Sequence, residues 1–349
     1  MSFQEVPAES DLWVPLPGPG EQWDDHTIHT HYFGFSEPQN SIGVFIYIRY
    51  MPVFKLIQGG VCIFKGKDNL KALDCEHCNF LNTMPYPETV NNLLKDNVVQ
   101  TKNGLRVEFI EPGRKVRIQY ESPDGRTSFD VLQTAITPLL PRGHVMPGEN
   151  LHTDPTQKPG GSEQFMHCTG TMTVNGKVFD KIDCYPVRDR SWRQVRTEAE
   201  VDFPPVGWSP MAFGPDLQFN QVGYDSSPQN WRGLFKVDPS RPVHYFAWVV
   251  NQGEVRNVSK VKRDIIKIHP ELFIATEQVI EAEDDKGEKY TFRGEAVAIA
   301  HLPSWPNNIF MDSLYKWTDD QGRVSYCAYQ EAFYHKYYRF CRGKLEHSG

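Results

Sequence analysis

The residues best suited to chemistry form one short block, Arg188-Asp189-Arg190-Ser191-Trp192, within Tyr185-Pro-Val-Arg-Asp-Arg-Ser-Trp. A carboxylate beside a guanidinium can handle protons or orient the cation, and the cation favours its ionised form. The indole of Trp192 adds a flat apolar wall. Such a set suits a pocket for a greasy, polyunsaturated or aromatic ligand. The same residues also suit a structural role, an Arg–Asp ion pair closing a strand under a core tryptophan.

Three further groups carry reactive side chains. In His26-Thr-Ile-His29-Thr-His31 a strand puts His29 and His31 on one face with Thr27, Phe33 and Phe35, while His26 faces away. They are either polar lining or groups that bond a substrate oxygen or move a proton near neutral pH. Cys75-Glu-His77-Cys78 has Cys-x-x-Cys spacing, but no second such pair exists, so no metal is expected. In Tyr326-Cys-Ala-Tyr-Gln-Glu331, alternation sets Tyr329 and Glu331 on one face with Cys327. A buried glutamate is costly unless paired or used. Glu331 is therefore either satisfied by an arginine or a second acid/base, with Tyr329 beside the substrate.

These residues sit on strands. In Ile42–Tyr50 the even positions Ile42, Val44, Ile46 and Ile48 are aliphatic, while Phe45, Tyr47 and Arg49 occupy the odd face. Tyr47 there can wall a ligand, and Arg49 can bond a carbonyl. Alternation continues through Val116–Tyr120 and Phe129–Leu132, joined by Ser122-Pro-Asp-Gly125. Asn175-Gly176 marks a hairpin between Met166–Val174 and Val178–Val187. Leu217–Tyr224, Gly233–Val237, Val243–Asn251, Val255–Val261 and two late hairpins are further strands. Only Glu88–Asn97 reads as a helix.

The chain has 349 residues, a net charge of −7 and 13% aromatic residues, with Gly and Pro at 26 each. This composition fits an all-β chain rich in turns. Without a basic block, neither nucleic acid nor an anionic membrane is an expected partner. The most apolar stretch, Ile42 to Ile63, is interrupted by Arg49, Pro52 and Lys55, so no membrane span is expected. Met1–Trp23 lacks the apolar core of an export signal. Seven cysteines without framework spacing fit a reduced, cytoplasmic setting. Nucleotide-binding glycine motifs and a nucleophile elbow are missing, so no cofactor is expected.

The Pro- and Gly-rich stretch Pro138–Gly161 is the expected boundary between two antiparallel β domains. The reading is an extension over 1–22, a domain over 23–140, a linker over 141–161, a domain over 162–342, and a tail or tag scar over 343–349.

Glu163-Gln164-x-x-His167-x-x-Gly170, followed by Arg188-Asp189-x-Ser191-Trp192, resembles the Arg-Asp-His-Ser-Trp signature of the lipocalin-like carotenoid hydratase / AttH superfamily. Tyr329-Gln330-Glu331 resembles the end of its C-terminal domain. Tyr32-Phe-Gly-Phe through Gly59-Gly60 resembles its N-terminal domain, so the resemblance runs from about Trp23 to Phe340. It implies two lipocalin-like β-barrel or β-sandwich domains packed together around a hydrophobic pocket. It also implies isoprenoid or polyketide substrates without a redox cofactor. Some members hydrate alkenes. Fungal relatives are Diels–Alderases, and hetero-Diels–Alder cyclases of tropolone sesquiterpenoids are similar. Arg190 stands where the signature has His, and an arginine cannot serve as a general acid near neutral pH.

The leading expectation is thus a cofactor-independent pericyclase of secondary metabolism. Arg188, Asp189, His31 and Glu331 are its catalytic candidates, and Trp192, Tyr47, Arg49, His29 and Tyr329 its substrate contacts. A hydratase or dehydratase with Asp189 as acid is the second reading. A non-catalytic carrier of a hydrophobic molecule is the third. The expected partners are that small molecule and a second copy of the chain.

Overall fold

The computed structural model describes residues 6–142, 160–196, 198–225, 234–235, 244–302 and 307–346. The expected linker core at 143–159 and most of the Gly233–Val237 strand lie outside them. Among the described residues the structure is nearly all β, with 62% strand and one α-helix. It divides into two units, Met1–Phe64 with Cys75–Thr197, and Lys65–Asp74 with Glu198–Gly349. The division therefore falls after the Arg188 strand. The strands from Gly160 to Val195, read from sequence as the start of the second domain, complete the first unit's sheet instead. The reason is pairing: Val187–Val195 lies between Thr27–Glu37 and Gly160–Val174, antiparallel to both.

The first unit is built on one long antiparallel sheet, curled into a half-barrel, beside a two-stranded pairing of Trp13–Val14 with Val90–Leu94. Its central order is Leu56–Lys65, Ile42–Met51, Thr27–Glu37, Val187–Val195, Gly160–Val174 and Ser128–Ala135. Alternation decides what each strand buries. Phe33, Phe35, Ile42, Val44, Ile46, Ile48 and Tyr50 face the unit's core with Val61, Val107, Ile118 and Val131. Tyr47 and Arg49 then point to the opposite face. The Asn175-Gly176 turn joins Gly160–Val174 to Lys177–Cys184 with both residues at positive φ, 50° and 85°, as a type I′ hairpin needs.

The second unit closes on itself. The order runs Val206–Trp208, Val324–Tyr334, Asn308–Asp319, Lys289–Leu302, Ala275–Asp284, Glu254–Ile268, His244–Asn251 and Leu217–Gly223, which pairs back to Val206–Trp208. This eight-stranded barrel is filled by the protein's own side chains, among them Phe219, Phe292, Tyr315, Trp317, Tyr329 and Phe333.

Two local expectations change. Glu88–Asn97 forms the strand Val90–Leu94 and a short turn, not a helix. Val90 and Leu94 are both buried four residues apart, a helical spacing. A strand's two-residue period also returns to one face after four residues, so that spacing does not separate helix from strand. The one α-helix among the described residues is His335–Glu346. It includes positions 343–346 of the expected tail and packs Tyr337 against Phe333.

Candidate functional site

The Arg188 block lies in the middle of a strand rather than at its end, so its side chains alternate between the two faces of the first unit's sheet. On the core face are Arg188, Arg190 and Trp192. Register places Arg188 beside Phe33 and Arg190 beside His31. Asp189 and Ser191 take the other face, beside Tyr32 and Thr30.

The core-face residues hold the N-terminal segment. Arg188 forms a bidentate pair with the fully buried Asp11, both bonds 2.8 Å. It also donates to Gln164 Oε1, and Asp11 Oδ2 accepts from the Gly113 N–H at 2.6 Å. Arg190 donates to the carbonyls of Ser10 and Trp13. Burial lowers its guanidinium to about 10, still protonated at neutral pH. Trp192 is completely buried with Val6 and Leu139, edge-on to Trp13 at 6.1 Å.

Both histidines belong to the same fastening. His31 Nε2 donates to the Asp11 carbonyl at 3.0 Å, and its Nδ1 accepts from the Tyr50 hydroxyl at 3.3 Å. His29 Nε2 donates to the Pro15 carbonyl, and its Nδ1 accepts from the Arg193 N–H, both at 2.8 Å. Each ring is thereby neutral with a fixed tautomer. Burial, reinforced by Arg190, pushes His31 well below its ordinary value and His29 down to about 3. Neither ring is an imidazolium near neutral pH, so neither serves as a general acid there.

The opposite face holds a different cluster. One row across the sheet reads Glu163, Asp189, Tyr32 and Tyr47, and the next reads Gly161, Ser191, Thr30 and Arg49. Arg142 Nε lies 3.0 Å from Asp189 Oδ2. Arg49 and Arg142 are buried, whereas Tyr47 and Asp189 remain half-buried. Burial raises the Tyr47 phenol above its ordinary value, against the pull of Arg49, Arg196 and Arg142. It stays neutral and keeps its O–H as a hydrogen-bond donor. Beside these polar groups runs an aromatic ladder: Tyr32–Phe45 at 5.4 Å, Phe45–Tyr47 at 5.7 Å and Phe45–Phe80 at 6.4 Å. Gly59 makes room behind it. A Cβ there would sit 2.0 Å from the Tyr47 carbonyl oxygen, and its φ of 153° suits glycine.

Of the nine residues singled out from sequence, Tyr47, Arg49 and Asp189 share this face, while Arg188, His29, His31 and Trp192 share the other. Tyr329 and Glu331 belong to the second unit. There Glu331 Oε2 accepts from the Tyr329 hydroxyl at 2.8 Å and the Ala275 N–H at 2.9 Å. Arg263 donates to the Tyr329 hydroxyl, to Gln278 Oε1 at 2.8 Å and to the Gly223 carbonyl at 3.0 Å. Burial raises Glu331 above the usual carboxylate range, opposed by Arg263. This connected polar network sits inside a packed barrel.

Sequence reasoning passed over Asp312. The core positions Met311, Tyr315 and Trp317 place it on the barrel's outward face by alternation, opposite Gln330. It is 2% exposed, and burial lifts its carboxyl to about 8 despite help from Gln330 and the Ser313 N–H. Arg142 and Asp11 were also missed, because neither lies in a patterned segment. Among the described residues no group of three or more His, Cys, Asp or Glu could hold a metal ion. No helix among them is long and apolar enough to cross a membrane.

In overall trace the chain is similar to kievitone hydratase from Nectria haematococca, at 12% identity and a TM-score of 0.49, over 96% of this chain and 94% of that one. It is also similar to a protein of Nitrosomonas europaea described as a candidate AttH, at 13% identity and a TM-score of 0.46, over 91% and 99%. Similarities this distant assign no activity. No curated protein matches the sequence. A family model does: the one described as a domain of unknown function, DUF7064, matches residues 17–332, and the chain belongs to that family.

Proposed function

We propose that the chain is a cofactor-independent cyclase that acts on a flat, hydrophobic molecule bearing a carbonyl, by a Diels–Alder or hetero-Diels–Alder type cycloaddition. One observation carries this reading: a neutral phenol, Tyr47, and a buried guanidinium, Arg49, stand beside an aromatic ladder on one sheet face. Within the ladder Tyr32 and Phe45 are buried, so the half-buried rings of Phe80 and Tyr47 supply the area on which a π system can stack. Holding two π systems in a near-attack arrangement contributes up to about 7–11 kcal/mol in the best cases. Hydrogen bonds from Tyr47 and Arg49 to the carbonyl oxygen withdraw electron density from the conjugated system and stabilise charge that builds there. Asp189 positions Arg142 through their 3.0 Å contact. None of these steps moves a proton, which suits a cluster built from a neutral phenol and guanidinium groups. In this reading Arg188, His29, His31 and Trp192 fix the N-terminal segment and thereby the strand carrying Asp189.

Hydration is the second reading, and Asp312 favours it. A carboxyl neutral up to about pH 8 is a proton donor that an alkene hydratase needs. Turnover of a substrate recovered from the source organism, run in isotopically labelled water, separates the two. The cyclase reading predicts a product of unchanged mass and no label. A product heavier by one labelled water would replace it with hydration.

A further inference from the structure

The first unit's chain makes an excursion. It leaves after Phe64 and returns at Cys75, and residues Lys65–Asp74 between them belong to the second unit. There the excursion is bound at the backbone. Asn69 bridges to Ala300, its Nδ2 donates to the Ile299 carbonyl at 2.7 Å, and the Ile299 N–H donates to the Gly66 carbonyl at 2.8 Å. The stem of the excursion is the antiparallel pairing of Leu56–Lys65 with His77–Pro85. In its register Cys62 lies directly opposite Cys78. Their sulfur atoms are 3.0 Å apart.

Directly opposed residues of an antiparallel pair have Cα atoms about 4.5 or 5.5 Å apart. Both values fall within the range of about 4.4–6.8 Å that a disulfide spans. We propose that Cys62 and Cys78 are a reversible dithiol/disulfide site that closes the stem of the Lys65–Asp74 excursion covalently, with a low-molecular-weight disulfide as oxidant.

The two thiols differ in access. Cys78 is half-buried and Cys62 is fully buried. The hydrogen bond from Cys62 favours the Cys78 thiolate, against the effect of burial. Cys78 therefore attacks first. Its thiolate displaces one thiolate from the external disulfide and forms a mixed disulfide. The Cys62 sulfur then attacks the Cys78 sulfur, releasing the second external thiolate and making the Cys62–Cys78 bond. Two protein thiols are oxidised, one external disulfide is reduced, and the two thiol protons end on the released thiols.

A second cross-strand pair gives an internal control. Cys168 lies opposite Cys184, but both are buried, and burial pushes the Cys168 thiol well up. An external disulfide has no comparable route to them. Cys75, half-buried and three residues before Cys78, is the competing partner.

The experiment treats the full, reduced chain with oxidised glutathione under native conditions and maps its cysteines by mass spectrometry. The expected product is lighter by two hydrogens, linked Cys62 to Cys78, with no retained glutathione and with Cys168 and Cys184 still free to alkylate after unfolding. Dithiothreitol restores the starting mass. Cys62→Ser should trap glutathione on Cys78, because the resolving thiol is gone. Closing a loop in the unfolded chain should also raise Tm by roughly a few degrees. A stable glutathione adduct on the unaltered chain, a Cys75–Cys78 bond, or no reaction at Cys78 would each overturn the proposal.

Discussion

Tyr47 and Arg49 are the side chains on which the cyclase reading depends. Replacing Tyr47 by Phe keeps the ring in the ladder and removes only the donor. Loss of one preorganised donor to developing charge costs about 100- to 1,000-fold in rate. Tyr47→Phe should slow turnover toward that range with little change in substrate affinity, as single-turnover kinetics would read. Asp312 makes a separate prediction through pH. Its folded-state value of about 8 lies above the ordinary 3.8, so the folded protein holds a proton that the unfolded chain releases. Its contribution is complete below about pH 4 and is lost as pH rises through 8. His29 acts in the opposite direction. With a folded-state value of about 3, it favours folding above about pH 6.5, and that stability is lost as pH falls. The two oppose each other between about pH 4 and 6.5. From there to about pH 8 the Asp312 contribution remains. Urea unfolding across this upper window should show stability falling with pH, and Asp312→Asn should flatten the slope. An unchanged slope in the variant would remove Asp312 as its source.

At the scale of elements, the core-face arginines fasten the segment Ala8–Val14 to the sheet. Asp11→Asn leaves Arg188 buried with a poorer partner. Breaking a buried pair from one side costs about 3–5 kcal/mol, much of it the stranded charge. Replacing both partners, as Asp11→Asn with Arg188→Met, should therefore destabilise less than the sum of the single changes in denaturant titrations. Gly207 tests the barrel network in the same way. A Cβ there would lie 2.7 Å from the Arg263 guanidinium. Bonds to Gln278, Gly223 and Tyr329 leave that group little freedom to move. Gly207→Ala should cost about 1–3 kcal/mol, as overpacking does. The strands themselves were legible in the sequence, because a two-residue period places Tyr47 and Arg49 opposite Ile46 and Ile48 without any knowledge of neighbours. It also separates Asp189 from Arg188, although adjacency in the sequence suggested that they act as a pair. The partners were not legible. Asp11 reaches Arg188 across 177 positions, and no local pattern announces such a contact. Glu88–Asn97 misled for a physical reason, since buried residues four apart share one face of a strand as well as of a helix.

At the scale of the molecule, the two units bear differently on the three functional readings. A carrier of the lipocalin type needs an interior with room for its cargo. The second unit's closed barrel instead contains Phe219, Phe292, Tyr315, Trp317 and Phe333 packed together. The curled sheet of the first unit carries the ladder and its donors on the face away from its core, with Tyr32, Phe45 and Arg49 buried and Tyr47 and Phe80 half-buried. Native mass spectrometry is the most direct test that this face binds and transforms a ligand. The unaltered chain and a Tyr47→Phe/Arg49→Met variant would each be incubated with a hydrophobic extract of the source organism. The cyclase reading predicts an organic adduct on the unaltered chain, release of a product of identical mass, and loss of turnover in a variant that remains folded. An adduct converted equally well by that variant would contradict it.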